Sequence, residues 1–235
     1  MPISTEIRSQ LPESAIHQLD QLAALLETEL ADTLLGILLH GSAATAGFYV
    51  DRSDLDLLAI VVRPLVQPER DQIGAGLLAI SNSPHPIEIS IVSQAALDSW
   101  NHPCAHQFHF GEDHRARFSA GRTAPESATD EDLAMHLTVA RTRGIDLSGT
   151  YPVARLPVVP KGDFLTAILS DLEWAKDNKE LHSYSQSNAC RAMAFLRDGR
   201  ILSKTEGIDW CRANGIEIEE VVGSVKALIE EELRR

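Results

Sequence analysis

The sequence predicts a mixed α/β (α+β) domain with a small sheet, followed by an all-helical domain. Up to about residue 150, short apolar runs typical of buried strands alternate with segments of helical periodicity. After residue 162 the periodicity is helical throughout. Between the two parts lies GTYPVARLPVVPKG, at 149–162, which contains three prolines and shows neither the period of a helix nor that of a strand. We therefore predict domains at 1–152 and 153–235.

The first part opens with an amphipathic helix over 13–31, where apolar residues recur at spacings of three and four. The apolar runs at 34–39, 55–62 and 87–92 predict three strands, because each is short and bounded by turn residues. The remaining predicted elements are a weaker helix at 69–80 that contains Gly74 and Gly76, a short helix from the cap Ser93 through Trp100, and a helix from the cap Thr129 to Gly144.

The helical periodicity of the second part predicts four helices. Gly199 predicts the stop of the second helix, and Ser203 with Glu206 matches the capping box that opens the third. The predicted ranges are 164–181, 184–198, 203–215 and 218–233.

Composition excludes several classes of protein. The apolar runs are far shorter than the ~20 residues of a membrane helix. The first residues also lack the basic segment followed by an apolar segment that is typical of a secretory signal peptide. The three cysteines have no paired spacing and fit reduced thiols. We therefore expect a cytoplasmic protein that does not associate with membranes, and we expect a monomer.

The charge is strongly acidic and unevenly distributed. The net charge is −13, residues 1–150 hold 9 Lys and Arg against 20 Asp and Glu, and the first lysine is Lys161. Nucleic acid is not expected as a partner, because its binding depends on a basic surface. A polyanion near the first part would have to be met by metal ions, backbone amides or basic side chains of the second part. A cationic small molecule suits the acidic surface better.

The stretch HGSAATAGFYVDRSDLDLL at 40–58 carries the chemistry. Asp54 and Asp56 are two residues apart at a strand, so they are expected on one face, where two carboxylates repel unless they share a proton or a divalent cation. Magnesium is the natural cation, because it takes oxygen ligands, binds one or two carboxylates and completes its shell with water and phosphates.

Other residues extend this nucleotide site. Gly41 allows close approach of the backbone to a phosphate, and the hydroxyls of Ser42 and Ser53 are further donors. Glu88 is the only acid in its apolar strand and becomes a third carboxylate if that strand lies beside the second. Taken singly, each feature is more often a turn or a solvated acid; their combination in one order favours a site.

This order resembles the nucleotidyltransferase family, and in particular the aminoglycoside adenylyltransferases that modify streptomycin and spectinomycin. The similar segments cover most of residues 34–212 and read HGSAATAGFYVDRSDLDLLAIV, PIEISIVS, FHFGEDHR, LTVARTRGIDLSG and NACRAMAFLRDGRILSKTEGIDW. The resemblance implies a nucleotidyltransferase domain with a small mixed sheet, followed by an α-helical bundle that binds substrate and nucleotide.

The resemblance also implies an activity, the transfer of AMP from ATP to a hydroxyl with release of pyrophosphate. Asp54 and Asp56 would hold Mg²⁺, two ions in all, and Glu88 would accept the proton of the attacking hydroxyl or complete the metal site. ATP is then a co-substrate, and the second partner is a cationic amino-sugar.

Basic residues for the triphosphate are expected from the second domain. Arg200 and Lys204 are the first candidates and Arg191 the next, although a solvated helix end explains any one of them equally well.

Four acids are candidate contacts for the substrate ammonium groups: Glu112, Asp113, Glu173 and Asp177. The family's Gly-Glu-Trp, whose ring offers streptomycin a stacking surface, corresponds here to Gly111-Glu112-Asp113. Without that ring the expected substrate is spectinomycin rather than streptomycin.

Two other functions fit parts of the same pattern. A nucleotidyltransferase that modifies a protein or another small molecule keeps the chemistry, and a non-catalytic ATP-binding relative keeps only the fold. The helical domain disfavours the first, and retention of all three acids disfavours the second. A zinc site is disfavoured at His102, Cys104, His106, His109 and His114, whose spacing matches no usual paired-ligand pattern.

Overall fold

The computed structural model describes residues 10–45, 47–125, 128–177 and 181–235, with the backbone alone at 177. The chain divides into two compact units. The first comprises Met1–Asp130 and Ala140–Pro157, and the second comprises Glu131–Val139 and Val158–Arg235. Across these described ranges, no helix is both long and apolar enough to cross a membrane.

The first unit is built on a mixed five-stranded sheet. The strands described in the structure are β1 (Leu34–His40), β2 (Leu55–Val61), β3 (Ile87–Ser93), β4 (Cys104–Ala105), β5 (Phe108–Phe110), β6 (Thr129–Asp130) and β7 (Ile145–Asp146). The sheet has the order β5-β3-β2-β1-β7, in which β2 and β3 are parallel and the other pairs are antiparallel. This confirms the predicted mixed sheet.

Apart from a short helix at Arg115–Ser119, which was not predicted, the helices follow the predicted order with shifted ends. They are α1 (Glu13–Leu30), α2 (Gln67–Ile80), α3 (Gln94–Asp98), α4 (Arg115–Ser119), α5 (Leu133–Arg143), α6 (Lys161–Trp174), α7 (His182–Asp198), α8 (Lys204–Ala213) and α9 (Val221–Leu233). α1 buries the face that its spacing predicted, with Leu19, Leu22 and Leu26 fully buried in the core of the first unit.

The region after β3 departs from the prediction. Thr129 does not cap a helix; it pairs with Ala105 in the two-stranded β4–β6 sheet, and α5 begins only at Leu133. Strands β4 to β7 were not predicted, because two or three residues are too few to show a period.

The second unit is helical and has its own core. α6 ends at Trp174, and a 3₁₀ turn over Ala175–Asp177 replaces the predicted last turns of that helix. Ser203 accepts a hydrogen bond from the Glu206 N–H and forms the predicted capping box of α8. Gly199 terminates α7 in the left-handed conformation, as predicted.

The glycines that weakened the prediction of α2 have a packing reason. A Cβ on Gly76 would lie 2.5 Å from Leu25 Cδ2 of α1, and one on Gly74 would lie 2.9 Å from both the Phe118 ring and Thr123 Cγ2. α2 therefore approaches its neighbours more closely than a helix with side chains at these positions could. Tertiary contact stabilises a helix that intrinsic propensity disfavours.

We predict that Gly74→Ala destabilises the protein although alanine is the better helix former. The new methyl overlaps a buried aromatic ring, and overpacking of this kind costs roughly 1–3 kcal/mol, against a propensity gain of about 1 kcal/mol. The free energy of unfolding in urea measures the balance. Gly223→Ala is the matched control, because Gly223 also lies inside a helix but a Cβ there meets nothing within 4 Å, so it should be neutral or stabilising. An equal gain in both variants would contradict the packing argument.

Candidate active site

Two carboxylates meet on adjacent parallel strands. Asp56 on β2 is in register with Glu88 on β3, at the ~4.8 Å spacing of hydrogen-bonded strands. Their neighbours along the strands, among them Leu55, Leu57 and Ile89, lie in the hydrophobic core, so both acids project from the opposite face of the sheet. Asp56 and Glu88 are half-buried. The structure thus places together two of the three acids selected from the sequence.

The Gly-Ser turn lies against the same carboxylate. Gly41 follows β1 with φ +61°, a conformation that favours glycine, and opens a 3₁₀ turn with Ser42. A Cβ on Gly41 would overlap the Asp56 carboxylate. His40, the residue before the turn, is paired with Asp56 across β1 and β2. Gly41 therefore leaves space that the Asp56 side chain occupies at the end of the sheet.

The loop between the turn and β2 is closed by Ser53. The Ser53 hydroxyl accepts a hydrogen bond of 2.9 Å from the Tyr49 N–H, and the Ser53 N–H donates to the Tyr49 carbonyl at 2.9 Å. Asp54 follows as an exposed residue and precedes the first residue of β2, so it lies beside the strand rather than in it. Ser53 therefore shapes the approach of Asp54 to the sheet, and its hydroxyl proton can still be donated.

Glu112 is held in a local network. Its carboxylate accepts hydrogen bonds from the guanidinium of Arg115, at 2.7 and 3.0 Å, and also from Ser81 and Asn82. The Arg115 guanidinium lowers the pKa of Glu112 below its usual value. Asp113, next in the chain, is exposed and lies 2.9 Å from His114 Nδ1. Glu112 thus links this segment to the end of α2, and a substrate contact by either acid stays a prediction.

The histidine-rich segment lies beside the sheet. His109 on β5 pairs with Ser90 on β3, and its Nδ1 is 2.9 Å from the Ser90 hydroxyl. The His109 ring lies 5.2 Å from that of His114 and 6.4 Å from that of His106. Burial lowers the pKa of His106. Sequence reasoning missed the placement of Ser90 and His109 on the face that carries Glu88, although the alternation Phe-His-Phe in β5 is the pattern of a strand.

The carboxylate pair is the candidate metal-binding feature of the first unit. Across the described residues, His, Cys, Asp and Glu side chains form no cluster of three or more that could hold a metal ion. The oxygen donors of Asp56 and Glu88 are of the kind that magnesium accepts, and it needs only one or two such side chains when phosphates supply other ligands.

The second unit contains an open pocket of about 430 Å³. Its lining is mainly apolar and includes Phe164, Ile168 and Phe195, and two of the predicted cations, Arg191 and Arg200, reach it. The third, Lys204, places its Nζ 4.6 Å from the centroid of the Tyr184 ring.

A buried polar network, which sequence reasoning missed, adjoins this pocket. Asp171 on α6 is 8% exposed and accepts hydrogen bonds of 2.8 Å from the Tyr184 hydroxyl and from Asn188 Nδ2. The Asn188 side-chain oxygen accepts one of 2.7 Å from Arg191. Asp171 follows Ile168 at a spacing of three on the buried face of α6. An acid at a core position was the signal that the sequence offered.

The other two acids predicted for the substrate lie at the end of α6. Glu173 is exposed and forms ion pairs with Lys226 and, at 3.9 Å, with Lys176; its hydrogen bond with Lys226 lowers its pKa. Asp177 ends the 3₁₀ turn, and its side chain lies outside the part of the chain that the structure describes.

Comparisons with known proteins agree with this architecture. Residues 155–216 match the family described as "Aminoglycoside adenylyltransferase, C-terminal domain". An aminoglycoside (3'') (9) adenylyltransferase from Klebsiella pneumoniae is 30% identical over 206 residues, which cover 82% of this chain and 76% of that protein. A spectinomycin 9-adenylyltransferase from Staphylococcus aureus is 28% identical over 215 residues, which cover 88% of this chain and 80% of that protein.

A solved structure has the same fold. The crystal structure of a spectinomycin adenyltransferase from Enterococcus faecalis with ATP and spectinomycin matches with a TM-score of 0.76 at 24% identity, over 93% of this chain and 90% of that one. The sequence relationship to the Klebsiella pneumoniae enzyme extends over both units. The chain therefore belongs to the aminoglycoside adenylyltransferase family and is a nucleotidyltransferase.

Proposed function

We propose that this protein transfers the adenylyl group of ATP to a hydroxyl of an aminoglycoside-type antibiotic, spectinomycin rather than streptomycin, and releases pyrophosphate. The observation that carries the proposal is the alignment of Asp56 with Glu88 on parallel strands, with Gly41 against the Asp56 carboxylate. Relatives named spectinomycin 9-adenylyltransferase, and the neighbour solved with ATP and spectinomycin, support the choice of co-substrate and acceptor.

Magnesium is the metal that these donors fit. We assign Asp54 and Asp56 as its protein ligands, because both offer hard oxygen donors. Glu88, in register with Asp56, accepts the proton of the attacking hydroxyl or completes the metal site. When bound, the metal offsets the negative charge of the triphosphate and favours attack at the α-phosphorus. Two ions remain our expectation, since paired sites steady both the attacking and the leaving oxygen.

The chain's own groups perform the remaining tasks in the first unit. The Glu88 carboxylate accepts the proton of the acceptor hydroxyl, which makes the oxygen a better nucleophile as the bond to the α-phosphorus forms. The Ser42 hydroxyl and the amides of the turn that begins at Gly41 donate hydrogen bonds to phosphate oxygens. Ser53 closes the loop and orients Asp54.

The basic side chains of the second unit are assigned to ATP. Arg191 and Arg200 line a pocket whose mainly apolar walls suit a nucleobase, and Lys204 Nζ lies 4.6 Å from the centroid of the Tyr184 ring. Arginine and lysine at such positions bind phosphate oxygens as charge-assisted donors.

Recognition of the acceptor is assigned to acidic side chains. Asp113 and Glu173 are exposed, and both can turn to an ammonium group of the substrate. The family resemblance places Asp113 where members that accept streptomycin have an aromatic ring, so we propose spectinomycin over streptomycin as the substrate.

The direct test is a transfer assay. We expect the purified protein, given ATP, Mg²⁺ and spectinomycin, to yield a product heavier by one adenylyl group together with pyrophosphate, and to modify streptomycin much more slowly. Mass spectrometry of the antibiotics and a pyrophosphate assay measure both products. Adenylylation of a protein instead would favour the alternative acceptor, and ATP binding without turnover would favour a non-catalytic role.

Asp56→Asn should abolish transfer while the protein stays folded. We expect kcat/KM to fall by more than ~100-fold, because even groups that only support a metal ligand contribute about 10–100-fold. The free energy of unfolding should be unchanged or higher, because the substitution removes repulsion between two carboxylates. Asp51→Asn, in the exposed loop before β2, is the matched control and should keep full activity. Transfer by Asp56→Asn at the wild-type rate would exclude Asp56 as a ligand.

Glu88→Gln separates a proton acceptor from a structural acid. We expect kcat to fall by about 10²–10⁴-fold, the usual contribution of a general base, while the Kd of ATP changes little. Steady-state kinetics and calorimetric titration with a non-hydrolysable ATP analogue give the two quantities. A lower affinity for the analogue with normal kcat would remove the proton-acceptor role.

A further inference from the structure

A charged group at a core position of the second unit needs a physical reason. Asp171 faces the interior of the helical unit between Ile168 and Leu172, both of them in its hydrophobic core. Burying a carboxylate there is unfavourable unless hydrogen bonds compensate it, and an apolar side chain of similar size would pack without that cost. The two donors to Asp171, from Tyr184 and Asn188, are both neutral.

Each of those donors leads to a basic side chain. Asn188 Nδ2 donates to Asp171, which fixes the amide so that its oxygen faces Arg191 and accepts from the guanidinium at 2.7 Å. The Tyr184 hydroxyl donates to Asp171 at 2.8 Å, and the face of the same ring lies 4.6 Å from Lys204 Nζ. One buried carboxylate is therefore connected, through one intermediate residue each, to two of the cations near the pocket.

This arrangement has the properties of a preorganising device. Arginine and lysine side chains lose rotamer freedom when they bind a ligand, and holding them in place beforehand reduces that cost. The Tyr184 hydroxyl is the donor in its hydrogen bond with Asp171, and burial together with the Asp171 charge raises the pKa of that hydroxyl far above the usual value. Asp171, Asn188 and Arg191 all line the same pocket, so the chain of hydrogen bonds ends at the place where a ligand can enter.

We propose that Asp171 is a positioning residue that orients Arg191 through Asn188 and Lys204 through Tyr184, and so tightens the binding of ATP. The inference rests on the proposed function, in which Arg191 and Lys204 bind the nucleotide. Asp171 is not assigned a contact with the substrates. Its effect is on binding rather than on the chemical step.

The first measurement is the Kd of a non-hydrolysable ATP analogue with Mg²⁺, by calorimetry on the full chain. Asp171→Asn keeps the size of the side chain and should weaken binding roughly 10-fold, the lower end of the effect of groups that orient a ligand-binding side chain. The value of kcat at saturating ATP should change less than about threefold. Asp163→Asn makes the same chemical change on the same helix, away from the network, and should leave both quantities unchanged.

The second measurement separates positioning from mere stability. Arg191→Ala should itself weaken binding, and in that background Asp171→Asn should have a clearly smaller effect than in the wild-type chain, because one of the cations it orients is gone. The inference would be overturned if Asp171→Asn raised the Kd by the same factor in the wild-type and Arg191→Ala chains. It would also be overturned if Asp171→Asn left the Kd unchanged. If Arg191→Ala and Lys204→Ala both bind the analogue as the wild type does, the assignment of these cations to ATP fails instead, together with any inference built on it.

A further pair of variants covers the case in which Asp171→Asn does not fold. Asn188→Ala breaks the connection to Arg191 but keeps the hydrogen bond between Tyr184 and Asp171. Tyr184→Phe removes that bond but keeps the ring beneath Lys204. Asn188→Ala and Tyr184→Phe should each raise the Kd of the analogue by a smaller factor than we expect for Asp171→Asn. The double variant should raise the Kd by more than either single variant. Wild-type affinity in both folded variants would equally overturn the inference.

Discussion

The candidate site depends on the parallel register of β2 with β3. That register sets Asp56 beside Glu88 on one face of the sheet, where two carboxylates repel each other. The register itself is fixed by the other face of the strands, where leucine and isoleucine side chains are buried. If the register slipped by one residue, the leucine and isoleucine side chains would face solvent and the acids would face the core. The burial of the apolar side chains therefore keeps the two carboxylates side by side despite their repulsion.

The two units handle buried negative charge in different ways. In the first, Asp56 and Glu88 share a sheet face, and Gly41 leaves the space that the Asp56 carboxylate occupies. In the second, Asp171 is satisfied by neutral donors, Tyr184 and Asn188, and connects onward to a cation. Under the proposed function, a divalent cation would stabilise the first arrangement, whereas the hydrogen bonds of the second are formed within the protein and act by holding its neighbours in place.

The sequence predicted the elements with long periods and the residues at their ends. The spacing of apolar residues predicted the order of elements from α1 to β3, because strands and helices of seven or more residues show a clear period. The paired acids and the Gly-Ser turn were then found at the ends of the predicted strands. The short strands and the pairing of Thr129 with Ala105 did not, because they depend on contacts between distant segments. For the same reason, the sequence did not indicate that Glu131–Val139 belongs to the second unit. Asp171 was passed over because acids on helices are usually solvated.

Substrate recognition by acids is constrained by the partners those acids already have. Glu112 is bound by Arg115, Ser81 and Asn82 together, so a ligand that recruited it would have to break a network that also anchors the end of α2. Glu173 is exposed, and its ion pairs are with lysine side chains, among them Lys226. The pair with Lys176 is exposed on both sides and contributes little to stability, whereas the Lys226 side chain is only 18% exposed. An incoming ammonium group could therefore replace Lys176 at Glu173 with little loss, whereas at Glu112 it would have to break structural hydrogen bonds. Of these two acids, we therefore expect Glu173 to be the more available to a cationic substrate.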